Sequence, residues 1–510
     1  MGDELEKRWN KTYTEGSLRF DRDKALLKSI ADKKKLKAAV KKADLLVMKD
    51  VPYTEIIFSV LLVSRLYSAI SGHITDCDET YNYWEPTHFL VFKNGFQTWE
   101  YNPKFALRSW FYIGMHAAVA KLSNFIMNHK IYTFYFMRML LGMCCAIAED
   151  QFYTAVYRKF GAFIANCWLL ISLFAPGMYI SSTAYLPSSF AMYCVMLAYA
   201  AWLDGSNQAA VIWIAAGSIV GWPFVAILGI PIFWDIVVKN GQFKKFAEYF
   251  TVGFVYTISP VVLVDLMLYR KLMIAPLNIV IYNVFNIHGS ELYGTEPASY
   301  YLYNGFLNFN IAFLFALLSL PVYIIYTRFS DRLTTTACYL LMPMYMWLAV
   351  MLLAPHKEER FLYPIYPLIA FAASVVLFVV WRATSAIWSY FYKHMKEASM
   401  LNIAGFFTIY IFLSATRICA LESYYRGPMV LYKDVYKIPE PKAVICVGKE
   451  WHRFPSSFFL PDGAKFHFVQ SNFKGQLPQK FHPSINGTFA VNPKQNDANR
   501  EEPSVYVAIK

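Results

Sequence analysis

The feature that most constrains this chain is a series of apolar stretches, each close to the length of a bilayer crossing. They fall at 52–71, 105–127, 131–156, 161–181, 184–203, 209–238, 246–270, 306–326, 336–354, 361–381 and 400–420. A helix needs about 20 mainly apolar residues to span the hydrocarbon core, because every backbone polar group must be bonded within the segment. Eleven such stretches predict an all-α polytopic membrane protein with about 11 transmembrane helices. Composition supports this: hydrophobic residues make up 57% and charged residues 16%, where soluble domains carry roughly 25% charged. The 18% aromatic content and scarce charge exclude a disordered chain.

The net charge of +13 is unevenly placed, with seven Lys and one Asp in residues 28–42. Such a block suits a nucleic-acid arm or a cytosolic, membrane-facing tail. The apolar series behind it favours the tail, because Lys and Arg accumulate on the cytosolic side, and no nucleic-acid partner is expected. The first apolar run begins near Pro52, with no cleavable signal before it, and reads as a signal anchor. Three organisational segments follow: a cytosolic basic tail (1–51), a membrane domain (52–420) with lumenal loops 72–104 and 271–305, and a lumenal extension (421–510). Cations at Lys239, Lys244, Lys245, Arg328, Arg332, Arg382, Lys393 and Lys396 mark cytosolic loops. The first half allows two topologies. Either every stretch crosses once, or 105–127, with Arg108, His116 and Lys121, stays at the interface while 209–238 crosses twice around Gly221-Trp222-Pro223. The second is favoured because it leaves Arg158 and Lys159 in the cytosol.

The extension changes character. KAVICVGKEW and KFHFVQSNF read as short strands, and Asn486-Gly487-Thr488 is a candidate glycosylation site. The eight Cys show no paired C-x-x-C spacing, and a Cys77–Cys446 disulfide stays open.

Three polar stretches can carry chemistry. In Asp76-Cys77-Asp78-Glu79-Thr80-Tyr81-Asn82-Tyr83-Trp84-Glu85-Pro86, four carboxylates follow the first apolar stretch. A helix starting at Asp78 would put Asp78, Asn82 and Glu85 on one face. The alternative is a solvated acidic loop. His356-Lys357-Glu358-Glu359-Arg360 gathers three cations between two apolar stretches, suiting either phosphate binding or internal ion pairing. His288-Gly289-Ser290-Glu291-Leu292-Tyr293-Gly294 is a glycine-containing loop that can approach a phosphate or merely connect two helices. Trp99-Glu100-Tyr101 suits an interfacial belt or a sugar site, and Asp265 and Glu149 are either functional or satisfied structural groups. A carboxylate, a cation cluster and a membrane fit glycosyl transfer from a lipid-phosphate sugar: the carboxylate accepts the acceptor's proton and the cations hold the leaving phosphate. No His/Asp pattern demands a metal. A transporter or lipid flippase, the reading from another class, predicts internal repeats and midplane charges, neither of which the sequence displays.

DCDETYNYWEPTHFLVFKNGFQTWEY (76–101) and HKEERFLYPIYPLI (356–369) resemble the dolichyl-phosphate-mannose-dependent mannosyltransferases of glycosyltransferase family 22, and among these the α-1,2-mannosyltransferases of asparagine-linked glycosylation. LYGTEPASYYLYNGFLNFN, APLNIVIYNVF and CVGKEWHRFPSSFFLP support that subgroup. The resemblance implies a GT-C fold over the catalytic domain 52–420. It also implies an endoplasmic reticulum location, a lumenal site and no cofactor. Its substrates would be dolichyl phosphate mannose and the dolichyl-diphosphate-linked oligosaccharide, with addition of the seventh and ninth mannose. It places the Asp-Glu pair at Asp78 and Glu79, with Asp78 as base and Asp76 beside it. His356, Lys357 and Arg360 would lie near donor phosphate, oriented by Glu358 and Glu359. Tyr83, Trp84, Glu85, Trp99, Glu100, His288 and Tyr293 are supporting or substrate-binding candidates. Runners-up are the α-1,6-mannosyltransferase of the same pathway and a glycosylphosphatidylinositol mannosyltransferase. Family members typically continue beyond the point reached at Lys510.

Overall fold

Most of the apolar stretches become helices in the computed structural model, which describes residues 51–285, 290–330, 335–391, 399–438, 443–483 and 485–508. The chain forms two units, Met1–Thr54 and Glu55–Lys510. Of the first only 51–54 is described, so the basic block lies outside the described residues.

The second unit is mostly helical. In chain order its helices are α1 (Thr54–Ser71), α2 (Glu85–Phe92), α3 (Trp110–Met127), α4 (Lys130–Phe160), α5 (Ala162–Phe174), α6 (Pro176–Ser181), α7 (Pro187–Leu203) and α8 (Asn207–Ala216). They continue with α9 (Ile230–Phe233), α10 (Phe243–Tyr269), α11 (Ala275–Phe285), α12 (Ser299–Thr327), α13 (Thr335–Leu353), α14 (Tyr366–Phe391), α15 (Ser399–Tyr425) and α16 (Gly427–Tyr436).

Among the described residues, seven helical segments are long and apolar enough to cross a membrane: α1, α4, α10, α12, α13, α15, and α14 with its 3-10 entry from Glu359. This is a multi-pass membrane protein. Of the other four stretches, 105–127 forms the unbroken 18-residue α3, which is less apolar than the seven, and the remaining three are shorter or broken. Ala175 before Pro176 and Trp222 before Pro223 both take extended backbone, because proline's ring disfavours the helical conformation of the residue before it. The break at Trp222 falls where the Gly-Trp-Pro run placed a turn. One expectation needs correcting: 271–305 is not simply a polar loop, since APLNIVIYNVF folds into α11, with Leu277, Ile281, Val284 and Phe285 exposed.

Burial separates central helices from peripheral ones. The Glu359–Phe391 segment is 83% buried in its most apolar window, whereas α10 is 22% buried. α14 packs against α12, α5 and α15, and α10 turns residues such as Tyr256 and Met267 outward. Outward apolar side chains suit a lipid-facing surface. A buried ion pair ties the first helices together: Arg65 of α1 donates to Glu149 of α4 at 2.8 and 2.6 Å and to the Ser172 carbonyl of α5 at 2.9 Å. Asp265 of α10 caps α3, accepting from Trp110 N at 2.7 Å and Ser109 Oγ at 3.0 Å. Glu149 and Asp265 are thus bonded structural groups.

The C-terminal segment holds the expected strands, β2 (Val444–Val447) and β3 (Lys465–Phe468), in a parallel pair. A further short strand, β4 (Gln479–Lys480), pairs antiparallel with β1 (Phe96–Gln97) of the first loop. Cys77 and Cys446 are both free thiols, Cys446 exposed on β2, so the disulfide left open by the sequence is not formed.

Candidate active site

The acidic stretch starts a helix, though not a uniform one. Asp76 is the N-cap, its carboxylate accepting from Asp78 N at 2.8 Å. One α turn (Cys77–Glu79) is followed by a π turn (Thr80–Trp84) in which Glu85 N–H bonds the Thr80 carbonyl, and then by α2. A π turn closes over one extra residue and shifts the rotational phase of the next turns. The single face expected for Asp78, Asn82 and Glu85 is therefore split. Asp78 meets Arg360 at 2.6 Å, and Arg108 lies 4.0 Å away. Asn82 donates to Glu100 at 2.7 Å and accepts from Thr98 at 2.6 Å. Glu85, fully buried, accepts instead from Ser457 N (2.6 Å), Ser457 Oγ (2.8 Å), Ser456 Oγ (3.0 Å) and Phe96 N (3.1 Å). It anchors the C-terminal segment rather than facing Asp78.

Glu79 also departs from its expected partnership with Asp78. It is buried and accepts from Trp84 Nε1 and Tyr185 N, both at 3.0 Å. Burial raises its pKa, with Arg138 and these hydrogen bonds opposing. Trp84, buried against Phe134 and Tyr185, belongs to the same packing unit.

The second stretch supplies the cations. Arg360 reaches Asp78 (2.6 Å) and Asp76 (3.2 Å), and pairs with Glu358. His356 bridges Glu358 (2.8 Å) and the Gly294 carbonyl (2.9 Å). Both partners accept, so both ring nitrogens donate. Burial lowers its pKa, but these bonds outweigh it and raise the group above its usual value. Lys357 corrects an expectation. It is buried, and its ammonium donates to the carbonyls of Glu296 (2.9 Å) and Ala354. With Glu296 N bonded to Pro355 O at 3.0 Å, it fastens loop 290–296 to loop 355–360. Glu358 orients cations as expected. Glu359 accepts instead from Asn308 Nδ2 at 3.0 Å.

Three carboxylates (Asp76, Asp78, Glu358) thus converge on one guanidinium. Burial pushes Asp78 up, yet Arg360 and then Arg108 outweigh it and hold it below the usual carboxylate range. Burial raises Asp76 to about 7 against the pull of Arg360, with Glu358 and Asp78 adding to the rise. Asp78 is the most open of the three, its side chain 33% exposed against 21% for Asp76 and 27% for Glu358. It is the carboxylate of the three that is both held low by its cations and most open.

A second layer fixes this arrangement. Arg108 donates to Glu100 at 2.9 Å and to the Tyr83 hydroxyl at 2.8 Å. Burial and the Asp78 charge raise Glu100, and Arg108 opposes both. Trp99 packs on Phe105 and Tyr282 at 5.1 and 5.2 Å, and Tyr293 lies 6.4 Å from the His356 ring. Sequence reasoning did not single out Arg108 and Asn82 as site residues. The signal was present: Arg108 is an unusual charge in an apolar stretch, and Asn82 lies on the expected helix face. His288 lies outside the described residues, as does the side chain of Asn486. Asp76, Cys77 and Asp78 bring ligand atoms within 4.8 Å of one another, as no other group of this kind does among the described residues. Arg360 already contacts both carboxylates there, so a divalent ion would compete with a bound guanidinium.

The Alg9-like mannosyltransferase family matches residues 56–461. The chain belongs to this family. It is 43% identical over 469 residues to a human protein named alpha-1,2-mannosyltransferase ALG9, covering 89% of this chain and 77% of that one. The namesake from Saccharomyces cerevisiae is 33% identical, covering 83% and 77%. A Candida albicans protein named GPI mannosyltransferase 3 is 24% identical, covering 62% of each chain. The fold is similar to that of ArnT from Cupriavidus metallidurans, solved bound to undecaprenyl phosphate: TM-score 0.58, 11% identity, 82% of this chain and 86% of that one. In that comparison the likeness is one of fold alone. This Alg9-like chain is a glycosyltransferase by family, and the GT-C architecture follows from the fold.

Proposed function

We propose that this protein is an α-1,2-mannosyltransferase that moves mannose from dolichyl phosphate mannose onto the dolichyl-diphosphate-linked oligosaccharide, at the lumenal face of the endoplasmic reticulum membrane. The observation that carries the mechanism is Asp78, ionised and open, 2.6 Å from Arg360. An acceptor 2-hydroxyl attacks the anomeric carbon while its proton passes to Asp78. The bond from that carbon to the phosphate oxygen breaks, and dolichyl phosphate leaves with the electron pair. Arg360 and the protonated His356 offer the positive charge that a departing phosphate requires. Displacement at one face inverts the centre, so a β-linked donor yields an α-linked product. Both reactants are lipid-borne, and the reaction needs no cofactor.

The 33–43% identities to α-1,2-mannosyltransferases from yeast, fruit fly and human support this linkage over the glycosylphosphatidylinositol reaction, whose named relative stands at 24%. Addition of the seventh and ninth mannose follows from the same subgroup. The test is transfer of labelled mannose by purified protein to a synthetic acceptor. Asp78→Asn should lower the rate ~10²–10⁴-fold, the usual worth of general-base catalysis. A fully active variant moves the base elsewhere. Cells lacking the protein should accumulate the lipid-linked species with six mannoses; an intact lipid-linked oligosaccharide with missing glycosylphosphatidylinositol anchors would refute the linkage.

A further inference from the structure

A cavity of about 360 Å³ lies apart from the Asp78 cluster and shares none of its residues. That volume falls within the ~300–1,000 Å³ typical of ligand pockets. Its walls come from three helix ends: Ile70 in the last turn of α1, His129 and Tyr132 at the start of α4, and Tyr436 at the end of α16. Two of these helices, α1 and α4, are of membrane-crossing length, and α16 directly follows a third, α15. The cavity therefore sits at the end of a membrane-spanning bundle, where tyrosines and lysines concentrate in membrane proteins.

Its chemistry is aromatic and cationic. Lys433 holds its ammonium 4.6 Å from the ring centroid of Tyr135 and has no carboxylate within ion-pair distance among the described residues. Lys437 also lines the cavity, paired with exposed Asp434 at 2.8 Å. The Tyr135 hydroxyl is buried and bonded to nothing among the described residues. Of the other charges nearby, Lys130 is paired with Asp462 at 2.5 Å and Arg426 donates to the Ile70 carbonyl at 3.1 Å. His129 stacks on Tyr132 with ring centroids 4.1 Å apart, and burial lowers its pKa. An uncompensated lysine, a second lysine and a buried hydroxyl without a partner form a donor set for an anionic oxygen. Ile70 and Tyr132, 51% and 59% exposed, offer apolar surface toward the bilayer for a chain attached to it.

From this geometry we infer that the Tyr135–Lys433–Lys437 cavity binds the phosphate headgroup of a membrane lipid. The occupant is a lipid with a net negative headgroup, either an acidic bilayer phospholipid or a polyprenyl diphosphate; the two share the recognised chemistry, whereas zwitterionic phosphatidylcholine offsets its phosphate with its own cation. Binding does not depend on the transfer reaction proposed above.

Intact protein in nanodiscs would be equilibrated with photoactivatable phosphatidylinositol, polyprenyl diphosphate or phosphatidylcholine, and crosslinked peptides mapped by mass spectrometry. Crosslinks from the first two lipids should fall on the start of α4 and on α16. Lys433→Ala/Lys437→Ala should weaken retention at least about tenfold, equivalent to ~1.4 kcal/mol. Tyr135→Phe, which removes a single hydroxyl, should weaken it less, and Lys433→Arg should preserve it. Polyprenyl diphosphate capture that phosphatidylinositol cannot displace would identify the isoprenoid, and equal competition would identify a bilayer lipid. The proposal is overturned if crosslinks fall elsewhere, if phosphatidylcholine binds equally well, or if the folded double variant retains lipid unchanged. Crosslink mapping on the unmodified protein decides between these outcomes even if that variant fails to fold.

Discussion

Asp76, Asp78 and Glu358 share Arg360, and that crowding sets the site's response to pH. Asp76 keeps its proton in the folded protein to about pH 7, against an ordinary value of 3.8. A folded pKa raised this way contributes stability that is complete below 3.8 and lost as pH rises through 7. Asp78, held low, works in the opposite sense: its contribution is present above the ordinary value and is lost as pH falls. Asp76→Asn should therefore flatten the decline in thermal midpoint from about pH 4 to about pH 7. An unchanged slope would show that another group carries the titration. This cluster was half legible from the residues. Asp78 and Arg360 stood out because charge is scarce in the chain. Lys357 is a cation from the same short loop as Arg360, yet it binds two carbonyls, because a compact ammonium fits a carbonyl pair whereas a planar guanidinium spans carboxylates. Sequence spacing does not separate those outcomes.

Among the elements, two buried polar joints hold the scaffold. Arg65 and Glu149 are 1% and 0% exposed. Arg65→Met leaves an uncompensated carboxylate between α1 and α4 and should cost about 3–5 kcal/mol, read as a lowered unfolding midpoint in detergent. Arg65→Met/Glu149→Leu should cost clearly less, and equal losses would deny that the buried charge is the cause. Glu85→Ala abandons four donors from Ser456, Ser457 and Phe96 and should destabilise the joint by at least ~2 kcal/mol. Limited proteolysis should then cut within 443–508 before it touches the helices; unchanged resistance would argue against the joint. Helices were readable from apolar runs, and β2 and β3 from the short KAVICVGKEW and KFHFVQSNF segments. The β1–β4 pair was not readable, because each strand is two residues long and its partner lies far away in sequence.

For the molecule as a whole, the β1–β4 pair puts the C-terminal segment on the same face as the first loop, whatever the crossing number of 105–238. Lys474→Thr creates an acceptor sequon at Asn472, and Gln242→Thr creates one at Asn240, in the loop with Lys239, Lys244 and Lys245. In cells the first should gain an endoglycosidase-sensitive glycan and the second should not; the reverse pattern would invert the assigned orientation. The π turn at Thr80–Trp84 has a consequence of another kind. One short helix serves two clients, Asp78 toward Arg360 and Glu85 toward Ser457, and only the additional residue lets it face both. Deleting any residue of that turn would rotate everything beyond it by about 100°. All five side chains of the turn are buried, so substitutions there disturb local packing, whereas a deletion also turns one of the two clients away from its partner, making small deletions the more damaging class of lesion.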